Sequence, residues 1–372
     1  MVKKIERKIL LNPGPVTTTD TVKMAQVVPD ICPREKEFCL IMSEVRNDLL
    51  KIINANPENY ETVLFGGSGT SVMEATICSV IPANKSLLII INGAYGERMK
   101  KIAETYSIPY DVLEYDSGEP INFIEVYNYL EVNPNIEYVA MVHHETTTGI
   151  LNSIKNFSRI KKKYGKILIL DAISSYAGIP IDLNDTPIDF LMSTSNKCIH
   201  GMPGLAFVIC ERIKLENLKD IQRRSFYLSL YDQYKSMETF GQMRFTPPVQ
   251  VIYALKQAIN EYFEEGGVNR YKRFKSNAIL LREGLKNLGF QLLLNAKDES
   301  NILVTVLEPK HSKFNFNIMH DLLYERGITV YPGKIMQTNS FRLSNIGDLS
   351  KDDINFFLKT LKNVLRKMEV VL

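Results

Sequence analysis

The sequence predicts an α/β protein: a large domain with a mostly parallel sheet flanked by helices, then a smaller C-terminal α+β domain. Three observations carry this expectation. Between about residues 60 and 210, short continuous apolar runs alternate with amphipathic stretches. The runs lack the in–out alternation of a half-wet sheet, so both faces are expected to be covered. After residue 249 the pattern changes to long helical stretches and short strands. The division expected is an N-terminal segment 1–20, a large domain 21–248 and a small domain 249–372, and 372 residues suffice for two cores.

Taken in order, SLLIIING (86–93) reads as a strand, with an amphipathic helix over 94–106. IEYVAMVHHE (136–145) repeats the pair with a helix near 153–164, and KILILDA (166–172), IDFLMSTS (188–195) and GLAFVIC (204–210) continue the sheet. The second part reads as helices over 249–264 and 268–288, then strands near 290–295, 301–307 and 328–331. A helix near 315–326 and another near 350–370 complete it.

Forty-five lysines and arginines nearly balance forty-two acidic residues, and the signs are interspersed. A net charge of +3 spread this way is no footprint for nucleic acid or an anionic membrane. The lysines at 161–163 and near the C-terminus read as solvated helix faces. Five cysteines, with no C-x-x-C, point to a reduced cytoplasm. The apolar run near the N-terminus is too short for a signal peptide, and no stretch is long enough to span a bilayer.

LFGGSGTSVMEATICSVI (64–81) places a glycine-rich turn before a helix. Free N–H groups and the positive dipole end there favour a phosphate, and Ser68 and Thr70 add hydroxyls. It is no Walker A loop, and Val72 stands where a dinucleotide fingerprint needs glycine. A plain helix cap is the simpler alternative. Asp171 ends an apolar strand, where an acid is a buried structural group, a metal or ribose ligand, or the partner of a heteroaromatic nitrogen. Lys197 ends the next one: either the return to solvent, or an amine whose burial makes it nucleophilic. Ligands of open α/β sheets bind beyond these strand ends. In HHETTTG (143–149), adjacent histidines on a strand face opposite ways, which disfavours a metal site; none is expected. Tyr95 follows another strand end, as a stacking ring or as packing, and Arg342 lies on a short strand of the second domain, as an acid clamp or a surface arginine.

Pyridoxal 5′-phosphate needs all of these groups together: a lysine for its aldehyde, an acid for its ring nitrogen, a helix N-terminus for its phosphate and a stacking partner. Further stretches sharpen this. LLNPGPVTTTDTVK, GGSGTSVMEA, NGAYGERM, HHETTTGILN, ILDAISSYAGIPID, STSNKCIHGMPG, SLYDQY, RFTPP and FRLSNIG run from residue 10 to 347. On them the chain resembles the class V aminotransferases of fold type I, PLP-dependent transferases. ETTTGILN, with the lysine segment and SLYDQY, is more particular and resembles the branch that uses a phosphonate.

The resemblance implies Lys197 as the Schiff-base lysine and Asp171 as partner of the ring nitrogen. It implies Ser68, Gly69 and Thr70 at the phosphate, with Asn196 beside them, Thr147 near the ring hydroxyl and Tyr95 stacked on the ring. Arg342 and Gly14 would meet the substrate. Thr246 would reach the phosphate of a neighbouring subunit, so a homodimer with shared sites is implied. The implied reaction moves the amino group of 2-aminoethylphosphonate to pyruvate. Serine– or alanine–glyoxylate transamination on the same fold is the alternative. A cysteine desulfurase is rejected, since it needs a reactive cysteine in the C-terminal third and the last one here is Cys210. A non-catalytic cofactor binder would have no need of the whole set. Met243 stands where an aromatic residue is usual, and Arg34 in CPREKEF has no assigned direction.

Overall fold

The apolar runs of the first half pair edge to edge in one seven-stranded sheet. In the computed structural model, which describes residues 5–295, 297–333 and 339–372, the sheet runs Tyr60–Gly67, Gly204–Glu211, Phe190–Thr194, Ile167–Asp171, Ile136–Val142, Ser86–Ile91, Tyr110–Glu114. Only Gly204–Glu211 opposes its neighbours. The residues between it and Phe190–Thr194 are too few for a crossover helix, so the chain returns antiparallel. The other strands all end on one edge, at Gly67, Ile91, Val142, Asp171 and Thr194, with Glu114 at its far end.

Helices cover both faces of this sheet, and their sequences explain their limits. Ser153 caps Ile154–Tyr164 by accepting from the Asn156 N–H, and Gly165, at φ +66°, ends it in the left-handed region. Three lysines occupy its last turn, favourable for the helix dipole. They are not simply a solvated face, as the sequence had implied. Lys161 turns inward, with its Nζ 2.8 Å from both Asp189 and Glu211, because the buried Asp189 carboxylate needs a cation.

A second core forms around the three-stranded sheet of Leu303–Leu307, Ser340–Ser344 and Tyr331–Pro332 and the helices Phe316–Tyr324 and Lys351–Lys367. Ser350 and Asp353 form a capping box for the last helix. The helix Val249–Glu265 buries Ile252, Leu255 and Ile259 in the first core, whereas Leu281 and Leu285 of Gly267–Asn287 belong to the second. We propose that the smaller unit therefore begins near Gly267. The N-terminal segment joins that unit, since Ile9–Leu10 pairs in parallel with Ile328–Thr329.

The strand expected over 290–295 does not form. Leu292 alone bridges Val306, through the Leu293 N–H to the Thr305 carbonyl and the Leu307 N–H to the Gln291 carbonyl, and the chain then bends away before a second bridge can extend the ladder. Pattern reading also passed over Lys36–Ile52, Tyr60–Gly67, Tyr110–Glu114, Phe123–Val132 and Leu230–Phe240. The first was legible: Phe38, Met42, Val45 and Leu49 recur at helical spacing and are buried. Among the described residues no helix is long and apolar enough to cross a membrane.

Candidate active site

The strand ends converge on a cavity of about 470 Å³. Its lining includes Gly14, Ser68, Gly69, Thr70, Tyr95, Asp171, Asn196 and Lys197, so eight positions singled out from sequence meet in one place.

Lys197 enters three residues beyond the strand Phe190–Thr194. Its Nζ donates to the Pro13 carbonyl at 2.5 Å. Burial drives its pKa down to about 8, and the positive charges of Arg342 and Arg98 push the same way, against the acids Cys198 and Asp171. Asp171 ends the neighbouring strand and is fully buried, accepting from the Ile173 N–H at 2.8 Å. Burial raises its carboxyl to about 7, with Glu145 adding repulsion, while Lys197 and Arg98 oppose the rise. A carboxyl of this kind is poised to be ionised by a cationic partner.

Gly67 leads into the helix Gly69–Val80, whose N-cap Ser68 makes no side-chain bond to the helix. The first N–H groups are thus left uncapped by that hydroxyl, as an anion cradle requires. The Thr70 hydroxyl accepts from Arg98 Nη1 at 3.0 Å, and the Arg98 guanidinium lies 4.6 Å from the Tyr95 ring centre. Sequence reasoning missed Arg98, although it sits inside the NGAYGERM stretch that gave Tyr95.

Tyr95 lies in the first turn of the helix Ala94–Thr105, and its N–H donates to Glu145 Oε2 at 3.0 Å. Glu145 is buried, and Thr147 donates its hydroxyl to Oε1 at 2.7 Å. That orients Thr147 into a smaller neighbouring cavity of about 230 Å³, and Thr146 is the member of the run that lines the main one. His144 also lines it, held between Ser174 and Ser300 and kept neutral by burial, which lowers its pKa to about 3. His143 bonds Ser175 instead.

Arg342 reaches the site from the smaller unit. Its Nη1 and Nη2 donate to the carbonyls of Thr146 and Pro332, each at 3.1 Å, and its buried Nε has no partner among the described residues. It stands behind Thr146 rather than in the main cavity wall. Burial lowers its pKa, while Tyr95, Tyr331 and Glu145 hold it up. Thr246 is exposed and lies outside the cavity. Arg34 is turned away: Nη1 donates to Gln242 Oε1 at 2.8 Å and the Met243 carbonyl at 2.9 Å. Met243 itself is buried.

Residues 21–348 match the family model described as aminotransferase class-V. The 2-aminoethylphosphonate–pyruvate transaminase of Bacteroides fragilis (strain YCH46) is 44% identical over 348 residues, covering 93% of this chain and 95% of that protein. The protein of the same name from Phocaeicola vulgatus is 41% identical over 361 residues, covering 96% and 99%. Among solved structures, an alanine–glyoxylate aminotransferase from Nostoc sp. superposes with a TM-score of 0.90 at 25% identity, covering 98% of this chain and 97% of that one. A pyridoxamine–pyruvate aminotransferase from Mesorhizobium loti also gives 0.90, at 22% identity and with coverage of 98% and 93%, a likeness of fold alone. The expected fold class thus stands.

Proposed function

Because the chain belongs to the class-V aminotransferase family, we propose that it moves the amino group of 2-aminoethylphosphonate to pyruvate, giving phosphonoacetaldehyde and L-alanine, with pyridoxal 5′-phosphate held around Lys197. The observation that carries this is the meeting of Lys197, Asp171 and the uncapped helix N-terminus in one cavity. The relatives supply the substrate pair.

The residues fit the cofactor. Ser68, Gly69 and Thr70 would take its phosphate, with Asn196 nearby, and Asp171 its ring nitrogen. Tyr95 would take a ring face, and either Thr146 or Thr147 the ring hydroxyl. Bound there, the cofactor supplies an electron sink for the charge left when the substrate carbon loses a proton. Lys197 Nζ, desolvated and easily neutral, is the base that takes this proton and the acid that returns it. Asp171, ionised beside a cationic ring nitrogen, keeps the proton on that nitrogen.

Arg342 gives the site its acid specificity. Its buried guanidinium, whose Nε has no partner among the described residues, would receive the phosphonate or carboxylate of the substrate. Gly14 keeps the opposite wall low beside Lys197. The working unit in this reading is a homodimer. Exposed Phe226, Tyr227 and Phe245 cluster on the segment before Thr246, as a face for a second copy whose cavity Thr246 would enter. The cytoplasm is the proposed compartment, in keeping with five unpaired cysteines.

The test is the visible absorbance of the cofactor-loaded protein after separate addition of 2-aminoethylphosphonate, L-alanine and L-serine. Bleaching by the phosphonate and alanine but not serine is the expected result. Bleaching by serine and not the phosphonate would move the enzyme to the glyoxylate branch, which the Nostoc structure represents.

A further inference from the structure

We infer that Arg98 is a positioning residue for the cofactor phosphate, clasping the anion cradle to the aromatic platform; the inference rests on the reading above. Arg98 lies three residues after Tyr95 on the helix Ala94–Thr105, so the two side chains share a face. Its Nη1 donates to Thr70 Oγ1 at 3.0 Å, and its guanidinium carbon is 4.6 Å from the centre of the Tyr95 ring. All three residues line the same cavity, although Thr70 and Tyr95 come from different strand–helix units.

Two physical arguments give this clasp a purpose. A guanidinium only donates. Thr70 Oγ1 is therefore used as an acceptor by Arg98, and the hydroxyl's own proton is left to donate to an anion at the helix N-terminus. The second argument is charge. A phosphate monoester carries about −1.5 to −2 near neutral pH, whereas a helix N-terminus offers only about +0.5. About one further positive charge is needed. Arg98 has it to give, since its hydrogen-bond partner among the described residues is a hydroxyl and not a carboxylate. Its field also reaches Lys197 and Asp171.

The test uses the full-length protein stripped of cofactor and compares pyridoxal 5′-phosphate with pyridoxal, which lacks the phosphate. Binding is read by equilibrium ultrafiltration at low and high salt, which suits a chain without tryptophan. Arg98→Met is expected to weaken the phosphorylated ligand by about tenfold while leaving pyridoxal unchanged. It should also flatten the salt dependence, and Arg98→Lys should recover part of the loss because it restores the charge without the fork. Unchanged binding of the phosphorylated ligand in both variants would overturn the inference. So would an equal loss of both ligands, which would leave Arg98 as a support for Tyr95 alone. A wild-type protein that binds neither ligand would instead overturn the cofactor assignment, and this inference with it.

Discussion

Lys197 lies across the α-carbon of Gly14. A β-carbon there would meet Lys197 Cδ at 2.6 Å, Cε at 2.8 Å and Nζ at 2.9 Å. The adjacent carbonyl, of Pro13, is the acceptor for the same Nζ. The N-terminal segment, docked on the smaller unit through Ile9 and Leu10, is thus the wall against which the amine is placed.

Gly14→Ala should therefore move the lysine. The φ of +135° also strains any residue with a β-carbon, by about 1–3 kcal/mol. The expected result is a loss of about tenfold or more in kcat, with a lower melting temperature. Turnover and thermal melts check it; an unchanged kcat would show that the amine does not need this wall.

The amine itself should titrate low. Since only the neutral form is nucleophilic, modification of Lys197 in the cofactor-free protein should rise with pH around a midpoint of about 8. Arg342→Gln removes a positive charge that lowers this value, so the midpoint should move upward. The linked stability follows the same sign. The folded state binds fewer protons than the unfolded chain between about 8 and 10.5, so this group's destabilisation is full below 8 and fades as pH rises. Peptide mapping after timed modification gives the midpoint, and a value near that of a free lysine would contradict the burial argument.

For Asp171 the sign is opposite. Its folded pKa of about 7 lies above the ordinary 3.8, so the folded, cofactor-free protein holds the proton more tightly. Stability from this group is full below about 4 and lost as pH rises through 7. Asp171→Asn should make the cofactor-free protein at pH 8 as stable as wild type or more so. It should still cut turnover on the order of 10²-fold or more, because the ring nitrogen loses its anion. Melting curves at two pH values and a turnover assay separate the two effects, and a destabilised variant at pH 8 would sink the account.

Gly93→Ala tests the support beneath Tyr95. Gly93 has an extended backbone, so strain is not the issue. A β-carbon would lie 2.1 Å from Glu145 Cγ and 2.4 Å from its Cδ. Displacing Glu145 removes the acceptor of the Tyr95 N–H and the Thr147 hydroxyl. A loss of about 1–3 kcal/mol in denaturant unfolding is expected, with weaker cofactor retention. Wild-type stability would show that Glu145 relaxes freely.

The site was legible where its residues sit at places that backbone geometry marks. Asp171 and Lys197 stand at the ends of apolar strands, and Ser68 to Thr70 at a glycine-rich helix start. Arg98 was hidden because its partner Thr70 is 28 residues away, and nothing in the spacing of an exposed charged residue on a helix shows that it also lines a cavity. The threonine run could not be resolved either: Thr146 and Thr147 have the same chemistry, and only the Glu145 carboxylate turns one of them aside.

The sequence by itself determined five of the seven strands of the sheet and, from them, that Asp171 and Lys197 lie at or just beyond its carboxyl edge. Those follow from period and turn chemistry, which are local. The tertiary structure alone decided which neighbours in a motif face the cavity, that Arg342 is buried behind Thr146 with an Nε that has no partner among the described residues, and that Lys197 and Asp171 titrate near neutrality. Desolvation and charge depend on contacts between segments far apart in the chain, and no spacing along the sequence records them.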